Sequence, residues 1–333
     1  MSDKKKMGFF QKTKNMTDTN LLLAITMIVF FAMYIGAMIF EGKGFLKAQT
    51  FLNMLNANAA LIIASCGMSI VMITGSIDIS VGGVAALVSM CCAVYLDYHG
   101  GNVVTAIFIS LGIGLLFGLV QGYLVAYLDI QPFIVSLAGM FFARGMTTIV
   151  NTEPFNVQNE AFVKLKETRV IVPGLGSVNK LGKYVNAYVE IGVVVALILV
   201  IVLFCMLRWS KSGRNFYAVG GNQQSALMLG INVKKTKFMA HLLCSLLAGI
   251  GGFVYFMHVG SGSASHATGM EMNAIASSII GGTMLTGGVG NIIGTLFGVL
   301  SLSTIQNIVS SAGLDQAWWT GITIAAMLCL FLV

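Results

Sequence analysis

Two ionisable side chains stand inside apolar stretches in which charge is otherwise scarce. Asp78 lies in segment 74–82 (TGSIDISVG), between two apolar runs, and Arg144 lies within the apolar run 133–151. A charge at membrane depth is costly, so such a residue faces protein or water and is a functional candidate by default. Asp78 either binds solute hydroxyl groups or shapes a gate, or it caps the helix that begins near Ser80.

Arg144 also has two interpretations. In the first, its guanidinium donates to oxygens of a solute or pairs with a carboxylate such as Asp78. In the second, it serves structure, either by snorkelling outward or by bonding backbone carbonyls that a helix break exposes. Both interpretations place it inside a bundle of apolar helices.

Uncharged polar side chains at the same depth have the donors and acceptors that a polyhydroxylated solute needs, and aromatic faces could stack on its ring. Phe141 and Phe142 would supply those faces. Each polar side chain is equally well explained as a hydrogen bond between helices. The polar candidates are Asn56, Asn58, Ser65, Gln121, Asn273, Ser277 and Gln306.

Several enzyme classes are disfavoured. Segment 258–266 (HVGSGSASH) would need a serine held against a histidine to act as a hydrolase, and its Ser-Gly composition is typical of a flexible outward loop. No Walker phosphate loop occurs in the chain, so it cannot hydrolyse ATP by that means. The six cysteines all lie in apolar runs without metal-ligand spacing, and we interpret them as small apolar fillers.

Composition predicts a membrane protein that must position these residues with helices. Of 333 residues, 57% are hydrophobic and 9% charged, far less charge than soluble domains carry. The 39 glycines suit helices that pack closely in lipid, and the net charge of +7 is not a nucleic-acid signature, because the lysines cluster between apolar runs. We predict ten spans, at about 21–40, 57–75, 81–97, 102–127, 133–151, 187–208, 237–258, 272–286, 289–311 and 316–333.

Some spans depart from a regular helix. The third and eighth are short, and glycines are expected to break the seventh to ninth. Irregular backbone at membrane depth is tolerated only where protein or a watery cavity covers it, so the short spans are expected to line a pathway. Residues 63–75 also match residues 275–287 without gaps at six positions. This is a weak internal repeat, parallel in the predicted topology.

Basic residues predict the orientation. Five lysines precede the first span, in a tail at 1–20, and six basic residues lie between Arg208 and Lys237, so both segments are expected in the cytoplasm. The chain from 21 to 333 then forms one transmembrane domain with both termini cytoplasmic. Segment 152–186 becomes an external loop, although it also carries five basic residues.

The basic segment 209–236 contains a short predicted helix. Asn222 is a good N-cap, residues 223–229 favour helix, and Gly230 suits the position just past a helix end. Ala226, Leu227, Leu229 and Ile231 would form an apolar side. Such a face either docks on another protein or lies on the bilayer surface.

These segments resemble the permease subunits of ribose/galactose-type ABC importers. The resemblance runs from about residue 50 onward and rests, in chain order, on residues 74–82, on 131–140 (QPFIVSLAGM), on 217–222 (YAVGGN) with 230–233 (GINV), and on 281–290 (GGTMLTGGVG). Through 139–145 (GMFFARG) it is most similar to galactofuranose-type sugar permease subunits. Ser76 departs from the family's usual glycine, and the chain ends at Val333 without the basic tail common among relatives.

The resemblance implies an all-α, type II-like ABC importer permease in the bacterial inner membrane that forms half of a sugar pathway. It has no ATPase site or cofactor of its own: ATP and Mg²⁺ belong to a separate ATPase subunit. A second permease subunit, identical or paralogous, and an extracytoplasmic sugar-binding protein complete the assembly. By the same resemblance, 220–231 is the coupling helix seated on the ATPase. An ion-coupled secondary transporter of a small polar solute is the alternative.

Two sets of candidate residues follow. The coupling set is Gly220, Gly221, Asn222, Ala226, Leu229, Gly230 and Ile231. The pathway or gate set is Asp78, Arg144, Asn58, Ser65, Phe141, Asn273 and Ser277.

Overall fold

The computed structural model describes residues 18–41, 45–178, 184–313 and 317–332. Residues 1–17, which carry most of the predicted basic tail, lie outside the described residues, as do 179–183 and Val333. The described chain is mostly helical, as expected for a polytopic membrane protein.

The helices that form the bundle follow the apolar runs of the sequence. They are α1 (Asp18–Glu41), α2 (Ala48–Ile73), α3 (Val81–Asp97), α4 (Val103–Ala126), α5 (Pro132–Val150), α7 (Ile191–Trp209), α10 (Val233–Val259), α11 (Met270–Ile280), α12 (Ile292–Ser311) and α13 (Ala317–Leu332).

Shorter elements connect them. After α5 come β1 (Phe155–Asn156), α6 (Glu160–Glu167), β2 (Arg169–Val178) and β3 (Tyr184–Glu190); after α7 come α8 (Lys211–Gly221) and α9 (Gln223–Met228); and β4 (Ser261–Gly262) follows α10. Strands β2 and β3 form an antiparallel hairpin, and β1 pairs with β4.

Two predicted boundaries are wrong by several residues. The predicted sixth span begins at 187, but residues 184–190 pair in the hairpin and α7 begins at Ile191. The predicted second span begins at 57, whereas α2 begins at Ala48. In both places the predicted boundary followed hydrophobicity alone, which does not distinguish an apolar strand from a helix or a polar helix start from a loop.

Seven helices within the described residues are long and apolar enough to cross a membrane. Helix α3 has 17 residues, and the predicted span 272–286 is wrong as a continuous helix, because α11 ends at Ile280 after 11 residues, with the expected glycine break at Gly281 and Gly282. A helix of that length rises about 16 Å, roughly half of a bilayer core. The predicted glycine breaks in the seventh and ninth spans are also wrong, since α10 and α12 run without interruption.

Helix α2 forms the centre of the bundle. From Ala59 to Ile73 all of its side chains are buried, and α10, α12, α11 and α7 pack around it. Helices α4 and α10 make the most extensive helix contact through small residues: a Cβ added at Gly114 would lie 2.7 Å from the Ser245 carbonyl oxygen, and one at Gly249 would lie 2.6 Å from the Ser110 carbonyl oxygen. Glycine therefore permits backbone-to-backbone packing, as is typical of helices in lipid.

Contacts between connecting segments define two ends of the bundle. At one, which we call the hairpin end, Asp97 accepts a hydrogen bond from the Gln158 amide and Lys166 donates to the Val259 carbonyl. At the other, which we call the α9 end, the Gly288 amide donates to the Ile73 carbonyl. The outer faces of α1, α4, α5 and α7 expose large apolar side chains, as lipid-facing helices do.

Candidate functional site

The short helix predicted in the basic segment is present as α9. The Asn222 side chain accepts a hydrogen bond from the Ser225 amide, 2.8 Å away, and caps the helix. Gly230 follows the helix with φ of +75°, a conformation that favours glycine. The predicted cap and stop are therefore confirmed. Sequence reasoning missed α8, the amphipathic helix before α9 whose Ser210 hydroxyl accepts from the Gly213 amide.

The predicted apolar side of α9 is wrong in its membership. Ala226 is only 2% exposed, because α9 packs against α8, and its carbonyl accepts from the Ile231 amide. Leu227, Met228 and Leu229 instead face outward, with Met228 87% exposed. The outward apolar surface of α9 thus keeps the predicted Leu227 and Leu229, gains Met228 and loses Ala226.

Gly220, at the end of α8, lies directly against the central helix. A Cβ added there would overlap the carbonyl oxygen of Ile73, the last residue of α2, and would lie 2.6 Å from the Gly288 amide nitrogen. The missing side chain of Gly220 therefore permits this close packing. Gly221 has open space around its Cβ position.

The two halves of the weak internal repeat end at this same place. Gly75 and Gly287 both have left-handed φ angles, +75° and +87°. A Cβ added at Gly287 would lie 2.8 Å from the Gly75 amide nitrogen and 2.9 Å from the Gly220 carbonyl oxygen. We call Gly75, Gly220, Gly287 and Gly288 the glycine joint. Helix α8 thereby touches the ends of both repeated segments at once.

A tyrosine fastens the joint. The Tyr217 hydroxyl of α8 donates to the Gly290 carbonyl at 2.9 Å. Burial raises the pKa of Tyr217 to about 12, so the hydroxyl keeps its proton and its role as donor. Helix α8 is held to segment 286–290 by packing and by this hydrogen bond.

Asp78 lies inside the bundle, on an irregular segment that leads from the end of α2 to the start of α3. It is fully buried, and one carboxylate oxygen accepts from the Ser80 amide at 3.0 Å and from the Ser80 hydroxyl at 2.6 Å. Ser80 is the cap residue of α3, and its hydroxyl accepts from the Gln121 side chain at 2.8 Å. The carboxylate therefore holds the residue from which α3 starts, in partial agreement with the capping interpretation.

A buried histidine lies beside this carboxylate. His241 of α10 has no exposed surface and interacts electrostatically with Asp78, and neither ring nitrogen has a hydrogen-bond partner within the described part of the chain. The other Asp78 oxygen lies 3.5 Å from the Ser245 hydroxyl, also on α10. Sequence reasoning missed His241, although a histidine in an apolar run was a visible signal.

Arg144 does not pair with Asp78. Its guanidinium donates to the backbone carbonyls of His266 and Ala267, the latter at 2.8 Å, and lies 3.8 Å from Glu271. These carbonyls belong to the irregular segment that precedes α11. The geometry matches the second interpretation, in which the arginine bonds carbonyls exposed by a helix break.

The remaining pathway candidates do not all converge on one cavity, although Gln121 and Phe142 both line an apolar cavity of about 630 Å³ between α4 and α5. Ser277 bonds the Asn273 carbonyl of its own helix at 2.7 Å, and the Ser65 hydroxyl is buried without a hydrogen-bond partner among the described residues. Phe141 and Phe142 face outward from α5, 63% and 62% exposed. Asn56 accepts from the Glu190 amide and Gln121 bonds Ser80, so both serve contacts between elements, while Gln306 is half-buried.

Asn58 does lead to a cavity. Its side chain donates to the Ser303 hydroxyl of α12 at 2.9 Å. Beside it, at the hairpin end, a cavity of about 430 Å³ separates α2 from α12; we call it the polar groove. Its lining is uncharged and mostly polar: Phe45, Thr50, Asn53, Met54, Ala57, Ser303, Asn307 and Ser311.

Sequence reasoning missed this groove, although a signal existed. Thr50, Asn53 and Ala57 are spaced by three and four residues, and Ser303, Asn307 and Ser311 by four. Both spacings place small or polar side chains on one face of a helix. Only the structure shows that the two faces meet.

Segment 258–266 is held in place, contrary to the expected flexible loop. Strand β4 pairs with β1, and His266 Nδ1 lies 3.1 Å from the Ser89 hydroxyl of α3. Burial lowers the pKa of His266, which favours the neutral ring near pH 7. The histidine fastens this segment to α3.

The chain matches known proteins over most of its length. Residues 50–332 match the family described as branched-chain amino acid transport system / permease component. The inner membrane ABC transporter permease protein YjfF of Escherichia coli (strain K12) is 35% identical, over 95% of this chain and 92% of its own. No solved structure matches the chain.

Two further relatives carry sugars in their names. The fructose import permease protein FruG of Bifidobacterium longum (strain NCC 2705) is 34% identical over 83% of this chain and 79% of its own. The ribose import permease protein RbsC of Escherichia coli (strain K12) is 32% identical over 82% of this chain and 81% of its own.

The Asp78 contacts generate a prediction about stability. Replacing Asp78 by Asn keeps an oxygen that accepts from Ser80, so we expect a small change in thermal stability. Replacing it by Ala leaves buried donors unpaired and should cost about 1–3 kcal/mol. Thermal unfolding of the detergent-purified variants measures both. Equal, large losses in the two variants would mean that the negative charge itself, facing His241, is what matters.

Proposed function

The chain belongs to the permease-component family of branched-chain amino acid transport systems, and from this premise we propose that it is the membrane subunit of an ABC importer whose cargo is a sugar. The ATPase is a separate subunit, and ATP and Mg²⁺ bind there; this chain contributes no cofactor site. The observation that carries the proposal is α9, a capped helix with outward apolar side chains. The preceding helix, α8, connects it to the centre of the bundle through the close contact between Gly220 and Ile73.

Helix α9 is suited to receive force from a soluble motor. Leu227 and Met228 offer exposed apolar area to a partner. Displacement of α9 would pass through α8 to Gly220 and from there to the ends of α2 and of segment 283–290, because no side chain cushions the contact. The coupling set accordingly divides in two: Leu229 offers outward surface, whereas Gly220, Ala226 and Ile231 hold α9 to the chain.

We place the α9 end in the cytoplasm of a bacterial inner membrane. Segment 208–237 carries six basic and no acidic residues, which supports this orientation. Both termini are then cytoplasmic, and the hairpin end faces the sugar-binding protein. The proposed ten spans include the 17-residue α3 and the half-span α11.

The cargo is proposed from the polar groove and from the relatives. Amide and hydroxyl side chains without net charge suit sugar hydroxyl groups, and Asn53, Ser303 and Asn307 supply them at the hairpin end. Asn58 adjoins the groove, so we propose the groove as the entry surface for a monosaccharide. Which monosaccharide is carried stays a prediction, and it rests on the resemblance to galactofuranose-type permeases.

A second permease subunit would complete the path. Phe141 faces away from the bundle of this chain, so it can line a path only if another subunit faces α5. Asp78 and Arg144, which hold irregular segments inside the bundle, are proposed to position the gate without touching the sugar. Ser65, Asn273 and Ser277, on α2 and α11, are proposed to lie near that gate.

The function is tested by uptake in proteoliposomes. The chain is reconstituted with its ATPase and binding-protein partners, and uptake of labelled ribose, xylose, fructose and galactose is measured. We expect uptake of one of these to require ATP and the binding protein and to survive an ionophore. Uptake that ignores ATP and collapses with the ionophore would favour the ion-coupled alternative.

The glycine joint offers a matched pair of variants. Gly220→Ala places a methyl group into the Ile73 carbonyl, at a cost of about 1–3 kcal/mol, whereas Gly221→Ala meets open space. We expect Gly220→Ala to reduce transport at least tenfold while ATP hydrolysis by the assembled importer continues, and Gly221→Ala to transport normally. Equal transport by the two variants would place the force path elsewhere; melting temperatures identify simple misfolding.

The outward surface of α9 offers a second pair. Met228→Glu puts a charge at the most exposed apolar position, and Gln223→Glu puts the same charge about 140° around the helix, in the first turn, where it is favourable. We expect Met228→Glu to weaken ATPase co-purification by about tenfold, with little effect from Gln223→Glu. Undiminished co-purification of Met228→Glu would mean that the ATPase binds another surface.

A further inference from the structure

A cavity lies between α8 and the start of α10, and its lining includes neither Leu227 nor Met228, the outward side chains of α9. It has a volume of about 530 Å³, within the range of ligand sites. Lys211 of α8 and Lys235 of α10 both line it. Around them are hydroxyl and amide groups from Ser212, Asn215, Asn232 and Thr236, and apolar surface from Phe216, Leu229, Ile231 and Met239.

The two lysines have no carboxylate near them. Within the described residues the ion pairs are Arg144–Glu271 and His258–Glu190, and neither lysine is involved. The sequence from 208 to 237 contains no acidic residue that could move to them. The cavity is therefore positively charged, without internal compensation among the described residues.

Their positions on the helices add to this imbalance. Lys211 is the first residue of α8 and Lys235 the third of α10. The first turn of a helix carries partial positive charge, which stabilises anions and disfavours cations. Two lysines at two such turns around one cavity are best compensated by a bound anion.

The depth of the cavity distinguishes between possible anions. Trp209, an exposed aromatic residue at the end of the α7 span, lies two residues before Lys211 and is suited to the membrane interface. From Asn232 to Met239 the lining follows α10 for about 10 Å into a membrane-spanning helix. A soluble acidic surface would stop at the lysines, whereas a lipid has both a charged head and an apolar continuation.

We propose that this cavity binds the phosphate head group of an anionic phospholipid of the cytoplasmic leaflet. The lysines and the neighbouring donors contact the phosphate oxygens, and the lipid's apolar part lies against Met239 and Phe216. Basic pockets between membrane helices on the cytoplasmic side bind such head groups in other proteins. The leaflet assignment rests on the orientation proposed above; the site itself does not.

A bound lipid would stabilise the base of the coupling element. Phe216 and Lys211 belong to α8, and Leu229 and Ile231 belong to the turn after α9. A molecule bridging these to α10 would hold α8 and α9 to the membrane while leaving Leu227 and Met228 free. The importer is then expected to depend on anionic lipid independently of its cargo.

The test measures binding of labelled phosphatidylglycerol to the purified chain in phosphatidylcholine nanodiscs, without ATPase, sugar or ATP. The double variant Lys211→Gln/Lys235→Gln should bind about 30-fold more weakly. The matched control is Lys234→Gln/Lys237→Gln, which removes the same charge from the same segment outside the cavity. We expect the control to lose only a fewfold, and Lys211→Arg/Lys235→Arg to retain binding.

Each other outcome overturns the proposal. Equal loss in both Gln double variants would mean diffuse attraction, and no loss in either would mean no site. Displacement of the lipid by millimolar inorganic phosphate would assign the cavity to a soluble anion. If the Lys211→Gln/Lys235→Gln variant lost ATPase co-purification in lipid-free detergent but still bound lipid, the cavity would be assigned to the protein partner. Because the binding assay contains no transport step, failure of the proposed function would show only in the uptake assay.

Discussion

The structure depends on satisfying irregular backbone inside a bundle that lies in lipid. Residues 74–80 and 263–269 leave the helical path between helices of the bundle, and most of residues 74–80 are buried, so their backbone polar groups need partners within the protein. A charged side chain forms hydrogen bonds to each segment. The Asp78 carboxylate accepts from the Ser80 amide, where α3 starts, and the Arg144 guanidinium donates to two carbonyls before α11. Two of the few charges in the bundle are thus used to shape backbone. This explains how α3 and α11 can start from irregular backbone inside the bundle without leaving those polar groups unpaired.

Glycine residues allow the backbones of neighbouring segments to pack closely. At the joint, residues from α8, the end of α2 and segment 286–288 approach to distances that a methyl group would prevent. Gly281 and Gly294 bring α11 against α12 in the same way. Contacts of this kind do not compress, so a displacement at one element must move its neighbour. The joint therefore offers a physical basis for linking the loop helix to both repeated segments.

Helix α2 connects the two ends. Its 26 residues rise about 39 Å, of which about 30 Å separate Asn53 in the polar groove from Ile73 at the joint. It is buried over most of its length and interrupted nowhere. Helix α2 touches both the proposed sugar entrance and the proposed coupling contact. A rigid helix in that position is the kind of discrete element through which two sites influence each other. The uncharged groove and the lysine-lined cavity sit at opposite ends of this arrangement, which matches one polar cargo outside and anionic groups inside.

The sequence by itself determined the membrane class, most helix positions, the α9 cap at Asn222 and the stop at Gly230, because these depend on local composition, periodicity and side-chain-to-backbone bonds within a few residues. It also singled out Asp78 and Arg144, since charge in an apolar run is visible without a structure. Only the tertiary structure decided that Arg144 bonds carbonyls near 266, that Gly220 packs against Ile73, and that polar stripes on α2 and α12 form one groove. Those facts depend on which surfaces meet across more than a hundred residues of chain, and the local pattern of either surface carries no information about its partner.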